Sequence, residues 1–250
     1  MKKIKIILLS LVLSATASPS FASEQLFTAE DGFVLNANYF EPKATSDAAV
    51  LMLHQCNFNQ SMYQQVGKKL AKRNVHALSL DFRGFGKSVT NETNIKSLAK
   101  LPREEQRKGW RAIRAFWPKD VQHAYDFLRN KVGAKGNIGI IGASCGGGQA
   151  KILAQNNAVK VLAFFSSGII RDGDKSIELY KKHHAATPTL FIDAIDDGAF
   201  TGLQKAFKLN THKESQFITY KGDGHGYPLF DLDPNLTSTI TKWFSTQLNK

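Results

Sequence analysis

The sequence has few cysteines, few prolines and few long apolar segments. Its 250 residues include only two cysteines and seven prolines, against 19 glycines. This scarcity excludes a disulfide-dense scaffold, a collagen-like repeat and a proline-rich disordered chain. Hydrophobic residues make up 42% of the chain, which is enough for a substantial core. Because α/β proteins of this length commonly form one domain, we expect a single domain over residues 23–250.

The segment apolar enough to enter a membrane lies at the N-terminus. Three lysines precede the apolar run 6–13, which is shorter than the roughly 20 residues that span a bilayer. Ser20-Phe21-Ala22 then fits a cleavage site, so residues 1–22 are predicted to be a cleaved signal peptide. An uncleaved anchor is the alternative. The expected location of the mature chain is the periplasm or the extracellular space, which are oxidising.

The chain is basic, with 33 Lys and Arg against 21 Asp and Glu and a net charge of +12. Removing the signal, with its three lysines and no acids, leaves 30 against 21, or +9. This surplus favours anionic substrates or weak contact with an anionic envelope surface. The basic residues are scattered and accompany no nucleic-acid-binding motif, so nucleic acid is not an expected partner.

Apolar runs and helical periodicities alternate along the rest of the chain. A hairpin with a turn at Asp31-Gly32 is predicted first. Strands are then predicted over residues 49–53, 75–80, 137–142, 159–165, 189–192 and 216–220, and helices over 60–72, 121–132, 144–155, 202–209 and 238–248. This alternation indicates the α/β class, with a mostly parallel sheet and helices on both faces. Residues 89–119 are interpreted as an irregular, short basic and aromatic insertion near the site.

The strongest chemical signal is a serine between two glycines. Ser144 lies in Gly142-Ala143-Ser144-Cys145-Gly146, between a predicted strand and a predicted helix. In this setting the pattern is typical of a nucleophile elbow, a strained turn that raises the serine into the site. His225 follows the last predicted strand, and Asp196 and Asp197 follow the strand before it. The order Ser, Asp, His indicates a catalytic triad, with Asp197 favoured by register and Asp196 as the alternative.

These motifs and two others resemble the α/β-hydrolase superfamily over nearly the whole mature chain. His54-Gln55 corresponds to the His-Gly after the family's third strand, and residues 81–88 to its Asp-x-Arg-Gly-x-Gly-x-Ser turn. In lacking a long lid, the chain is similar to small dienelactone-hydrolase-like members, although these often use Cys as nucleophile. Gln55 and Ala194 stand where the family pattern has glycine. The resemblance implies an α/β-hydrolase fold with an eight-stranded, mostly parallel sheet.

The resemblance also places both cysteines beside the nucleophile. It implies that the backbone N–H groups of Cys56 and Cys145 form the oxyanion hole, with His54 supporting the loop by hydrogen bonds. Because the family's third and fifth strands are neighbours, a Cys56–Cys145 disulfide can form in an oxidising compartment. Two free buried thiols are one alternative, and a nucleophilic Cys145 is another.

The expected activity is hydrolysis of small or medium carboxylic esters by a serine hydrolase, through an acyl-enzyme and without a cofactor. A peptidase or amidase with the same triad, a thioesterase and a catalytically silent envelope binding protein are the alternatives. The candidate substrate-binding residues are aromatic: Phe58, Trp110, Trp117 and Tyr227. The helix that carries the two tryptophans is expected either to contact an anionic lipid surface or to pack on the domain.

The remaining histidines give no metal site, because none has ligand-like spacing with other candidate ligands. The adjacent His183 and His184 are expected at a solvated helix end. The sequence does not predict an oligomeric state.

Overall fold

A computed structural model describes residues 22–170 and 173–250, so the predicted signal peptide up to residue 21 lies outside the described residues. Within the described part, eight strands form one sheet in the order β1-β2-β4-β3-β5-β6-β7-β8. The strands are β1 Ala22–Thr28, β2 Val34–Phe40, β3 Ala48–Leu53, β4 His76–Leu80, β5 Asn137–Ala143, β6 Val161–Phe165, β7 Thr189–Ala194 and β8 Gln216–Tyr220. The β1–β2 and β2–β4 pairs are antiparallel and the other pairs are parallel. The predicted mostly parallel, eight-stranded sheet is confirmed.

Helices cover both faces of this sheet. They are α1 Gln64–Lys72, α2 Ile95–Leu98, α3 Arg103–Arg114, α4 Trp117–Val132, α5 Cys145–Asn156, α6 Asp174–His183, α7 Phe200–Leu209, α8 Pro228–Leu232 and α9 Leu236–Leu248. Apolar side chains of α2 to α7 pack against one face, and those of α1, α8 and α9 against the other. Within the described ranges, no helix combines the length and apolarity that crossing a bilayer requires.

Burial follows the position of each strand in the sheet. Every residue of β3, β4, β6 and β7 is buried, because helices cover both faces of these central strands. The edge strands β1 and β8 contain only exposed and half-buried residues. The parallel strands all end at one edge of the sheet, and the loops that leave this edge carry the predicted site residues.

The segment 89–119 is more regular than predicted. It contains α2, α3 and the first turn of α4. Ile113 is buried and Trp110 packs against the core, so the aromatic face of α3 lies on the protein itself. Of the two alternatives for this segment, contact with a lipid surface and packing on the domain, the structure shows packing on the domain.

The turn at residues 81–88 has a structural role through Arg83. Its guanidinium lies between the rings of Phe33 and Phe116, 4.3 and 4.2 Å from their centroids. It pairs with Asp31 in the β1–β2 turn and with Asp120 of α4, the latter at 2.8 Å. Arg83 thus joins the antiparallel hairpin to the helical layer, and it takes no part in the site described below.

The prediction of a solvated His183-His184 pair is wrong for His184. The α6 helix does end at His183, but the side chain of His184 is only 1% exposed. Neither of its ring nitrogens has a hydrogen-bond partner among the described residues. Burial therefore lowers the pKa of His184 to about 4, and burial also lowers the pKa of His54 to about 4.

These two histidines make the fold sensitive to acid. Both are neutral when folded, and both gain a proton when the chain unfolds below their ordinary pKa of 6.5. Above pH 6.5 these two histidines therefore do not change the free energy of unfolding. As the pH falls from 6.5 to 4, each of them lowers the free energy of unfolding by about 1.4 kcal/mol per pH unit. We expect His184→Phe to reduce this slope, measured as the free energy of urea unfolding at several pH values. His183→Gln is the neighbouring control, and an equal slope in His184→Phe and wild type would contradict the assignment.

Candidate active site

Ser144 lies in a tight turn between β5 and α5. Its backbone has φ 51° and ψ −115°, a region that a side chain other than glycine occupies only under strain. The neighbouring glycines make the turn sterically possible. A Cβ on Gly146 would lie 2.3 Å from the carbonyl oxygen of Leu53, and one on Gly142 would lie 2.3 Å from that of Gly146. The structure therefore gives the Gly-x-Ser-x-Gly motif the geometry of an elbow.

His225 is held by an acid from the adjacent loop. Its Nδ1 lies 2.7 Å from Oδ2 of Asp197, which follows β7. An ionised carboxylate only accepts hydrogen bonds, so Nδ1 carries the proton and Nε2 is left as an acceptor. Asp196 is exposed, and its side chain makes no hydrogen bond to the imidazole. The structure thus brings Asp197, and not Asp196, to His225.

Ser144 and His225 line the same cleft. No hydrogen bond joins their side chains in the part of the chain that the structure describes. Catalytic hydrogen bonds are often long or poorly aligned before substrate binds. A shared cleft, and not a hydrogen bond, therefore relates Ser144 to His225 in this structure.

A second carboxyl group, Asp193, lies behind the acid loop, and the sequence does not predict its role there. It is fully buried at the end of β7, where burial and the nearby Asp197 carboxylate both raise its pKa. Its neighbour Ser166 accepts a hydrogen bond from the backbone N–H of Gly226, at 2.9 Å. Asp193 and Ser166 thus form the floor under the loop that carries His225. The available sequence signal was the cluster of three carboxyls within five residues after a buried strand.

The two cysteines are joined in a disulfide. Cys56 and Cys145 have Cα atoms 5.8 Å apart and are separated by 89 residues in sequence. The bond connects the loop after β3 to the first residue of α5, next to Ser144. A sulfur in a disulfide is not a thiolate, so Cys145 has no nucleophilic character in this form.

The loop after β3 is fixed by two further side chains. His54 accepts a hydrogen bond from the Phe82 N–H at Nε2 (3.1 Å), so its Nδ1 donates to the Gln55 carbonyl (2.7 Å). The Gln55 side chain accepts from the N–H of Tyr227 at 2.7 Å. A Cβ on Gly226 would lie 1.9 Å from that amide oxygen. The residue that replaces the family's glycine therefore ties this loop to the residues after His225, a role that the sequence did not reveal.

The cleft has a volume of about 960 Å³ and runs from Ser144 along α5. Its other walls are residues 166–170, the first turns of α7 and the C-terminal residue of α3. In the described ranges, no group of three or more His, Cys, Asp and Glu residues could hold a metal ion.

The four predicted aromatic residues do not line this cleft. The prediction is wrong for Trp117, which is fully buried and donates from Nε1 to the Arg83 carbonyl at 3.1 Å. Trp110 borders a separate depression that is lined by residues of α3. Phe58 and Tyr227 stack on each other, with ring centroids 4.5 Å apart, so their faces are partly covered by one another.

Comparison with known proteins gives a family and several similar folds. The sequence model of the family described as "Serine aminopeptidase, S33" matches residues 44–221, a range that includes Ser144 and Asp197. Esterase Pf2001 from Pyrococcus furiosus is 17% identical, with a TM-score of 0.64 over 92% of this chain and 93% of that chain. A cold-adapted esterase from an Arctic intertidal metagenomic library is 17% identical, with a TM-score of 0.65 over 90% and 93%. A predicted CIB-like hydrolase from Thermoplasma acidophilum is 16% identical, with a TM-score of 0.61 over 91% and 99%. No curated protein sequence matches the chain.

Proposed function

The chain belongs to the serine aminopeptidase S33 family of α/β-hydrolases, and we propose that within this family it hydrolyses carboxylic esters of small or medium size. One observation carries the proposal. A serine on a strained elbow shares a cleft with a histidine whose Nδ1 is bound to a carboxylate at 2.7 Å. Esterases among the similar folds support the choice of an ester over other acyl compounds.

In the proposed mechanism, Nε2 of His225 takes the proton of Ser144 as its Oγ attacks the ester carbon. Asp197 keeps the proton on Nδ1 and stabilises the imidazolium that forms. The imidazolium then protonates the leaving alcohol, which leaves an acyl group on Ser144. Water, deprotonated by His225, attacks this acyl group, releases the acid and restores the serine.

The negative charge that develops on the carbonyl oxygen needs preorganised donors. We assign this role to the backbone N–H groups of Cys145 and Cys56. Cys145 begins α5, whose N-terminus favours negative charge, and the disulfide fixes Cys56 beside it. Preorganised donors of this kind typically contribute about 10²- to 10³-fold in rate each.

Export and a lidless cleft form part of the proposal. A disulfide is expected to persist outside the cytoplasm, which agrees with the N-terminal sequence pattern of a signal peptide. Cleavage after Ala22 would leave Ser23–Thr28 to pair with β2. Between β6 and β7, the described residues contain the single helix α6, which supports a similarity to the small dienelactone-hydrolase-like members.

An amidase or aminopeptidase is the second candidate, because the matching family is described by that activity. The same triad would serve both reactions, so the difference is one of substrate.

The test is turnover of a 4-nitrophenyl ester and the 4-nitroanilide of the same short acyl group, together with the intact mass after exposure to a fluorophosphonate. We expect one covalent adduct, its absence in Ser144→Ala, and much faster hydrolysis of the ester. Comparable turnover of the anilide would favour the second candidate. Absence of both adduct and turnover in folded protein would overturn the proposal and favour a silent binding protein.

A further inference from the structure

The walls of the catalytic cleft carry positive charge from three separate elements. Arg114 ends α3, Lys151 lies in α5 and Lys205 lies in α7, and all three line the cleft that contains Ser144 and His225. Among the described residues, no Asp or Glu lines it. The three cations are 37 and 54 residues apart in sequence, so no charge run in the chain accounts for their convergence.

Two of these cations are held in place by the protein. Lys151 is half-buried, and its Nζ donates to the carbonyl of Ile169 at 2.9 Å. The Arg114 guanidinium lies 5.4 Å from the ring centroid of Trp117. Lys205 is exposed on α7, and its side chain makes no ion pair with any described residue. A ligand in the cleft would therefore meet positioned charges as well as an available ammonium group.

Apolar side chains line the same cleft as the nucleophile and these charges. Ile152, Ile169 and Ile170 line the cleft, and the remaining lining consists largely of small residues of the loops and of α7. The first turn of α7 contains no acidic residue, and the positive end of its helix dipole lies at the same cleft. The lining thus fits a ligand that combines a short aliphatic part with a negative charge.

We infer that the ester cleaved by this protein carries an anionic group, such as a carboxylate, a few bonds from the scissile carbonyl. This inference rests on the proposed function and names the class of its substrate. A cleft focuses the field of its charges, and the focused field raises the local concentration of an anionic substrate. The overall surplus of basic residues over acidic ones acts in the same direction at longer range.

Matched pairs of esters test the inference. The first pair is 4-nitrophenyl glutarate and its methyl ester, which differ in a charge on the acyl side. The second pair is 4-butanoyloxybenzoate and its methyl ester, which differ on the alcohol side, with phenol release as the readout. We expect kcat/KM to favour the anionic member of at least one pair by about tenfold at low ionic strength, and the preference to shrink in 0.5 M NaCl. The pair that shows the preference identifies the side of the ester that carries the charge.

Variants then locate the effect. In the double variant Arg114→Met and Lys205→Met, we expect the ratio of kcat/KM for the anionic ester to that for its neutral partner to fall several-fold, toward the smaller preference that Lys151 alone supports. Lys208→Met is the matched control, because Lys208 lies on the same helix and does not line the cleft. Turnover of neutral esters with no preference for either anion, or an unchanged preference in the double variant, would overturn the inference alone. Failure to hydrolyse any of the four esters would instead overturn the proposed function.

Discussion

Replacing Asp197 by Asn is expected to lower kcat/KM for esters by about 10⁴-fold while the protein stays folded. The Asp197 carboxylate accepts a hydrogen bond from the protonated Nδ1 of His225, at 2.7 Å. An Asn amide can donate to Nδ1 instead, and this favours the tautomer in which the proton sits on Nε2. The imidazole then cannot take the proton of Ser144, so the loss falls on kcat. Steady-state kinetics with a 4-nitrophenyl ester measure the effect, and circular dichroism checks the fold.

The adjacent residue gives the matched control. Asp196 is exposed and does not touch His225, so Asp196→Asn should retain the kcat/KM of the wild type. A large loss in Asp196→Asn together with normal activity in Asp197→Asn would reverse the assignment of the triad acid. Wild-type kcat/KM in both variants would show that His225 acts without either carboxylate.

Removing the disulfide is the change with the largest expected effect on stability. The bond closes a loop of about 90 residues, since Cys56 and Cys145 are 89 positions apart. Chain entropy alone then assigns it about 4–5 kcal/mol of the free energy of unfolding. We expect the double variant Cys56→Ala and Cys145→Ala to melt roughly 10–15 °C lower than the oxidised wild type.

The same variant should lose activity well below its melting temperature. Without the bond, the backbone N–H of Cys56 is no longer fixed beside the elbow, and a displaced oxyanion donor costs about 100-fold in kcat. Wild-type protein reduced with dithiothreitol should behave like the double variant, with an intact mass two hydrogens above that of the oxidised form. An unchanged melting temperature and kcat in both preparations would contradict a stabilising and positioning role for the bond.

The elements that could be predicted from the sequence are those whose pattern is local. The run Gln216–Tyr220 is found as β8 with the predicted limits, because this short segment rich in aromatic and β-branched residues lies between polar turns. The elbow was predictable for the same reason, since a strand, a glycine-flanked serine and a helix are contiguous. By contrast, the sequence predicts only the end of α6, at His183 and His184, and not its full range, because charged residues occupy half of Asp174–His183.

What could not be predicted depends on contacts between distant segments. Trp117 was expected near the substrate, but it begins α4 and packs into the core, where its N–H meets the Arg83 carbonyl. The burial of His184 likewise depends on what packs over the end of α6. The positive charge of the cleft could not be predicted from the linear sequence, because the sheet topology brings Arg114, Lys151 and Lys205 together.

The loop that carries His225 also has a consequence for motion. Two successive amides after the histidine donate to side chains: that of Gly226 to Ser166, and that of Tyr227 to Gln55. Local opening of this loop must therefore break bonds to the buried floor at the end of β6 and to the loop after β3. In thermal fluctuation the histidine loop is coupled to two strands at once, so it moves as an extension of the sheet and not as an independent flap. Conformational adaptation to different substrates is thus left to the other walls of the cleft, which include the first turns of α7 and the end of α3.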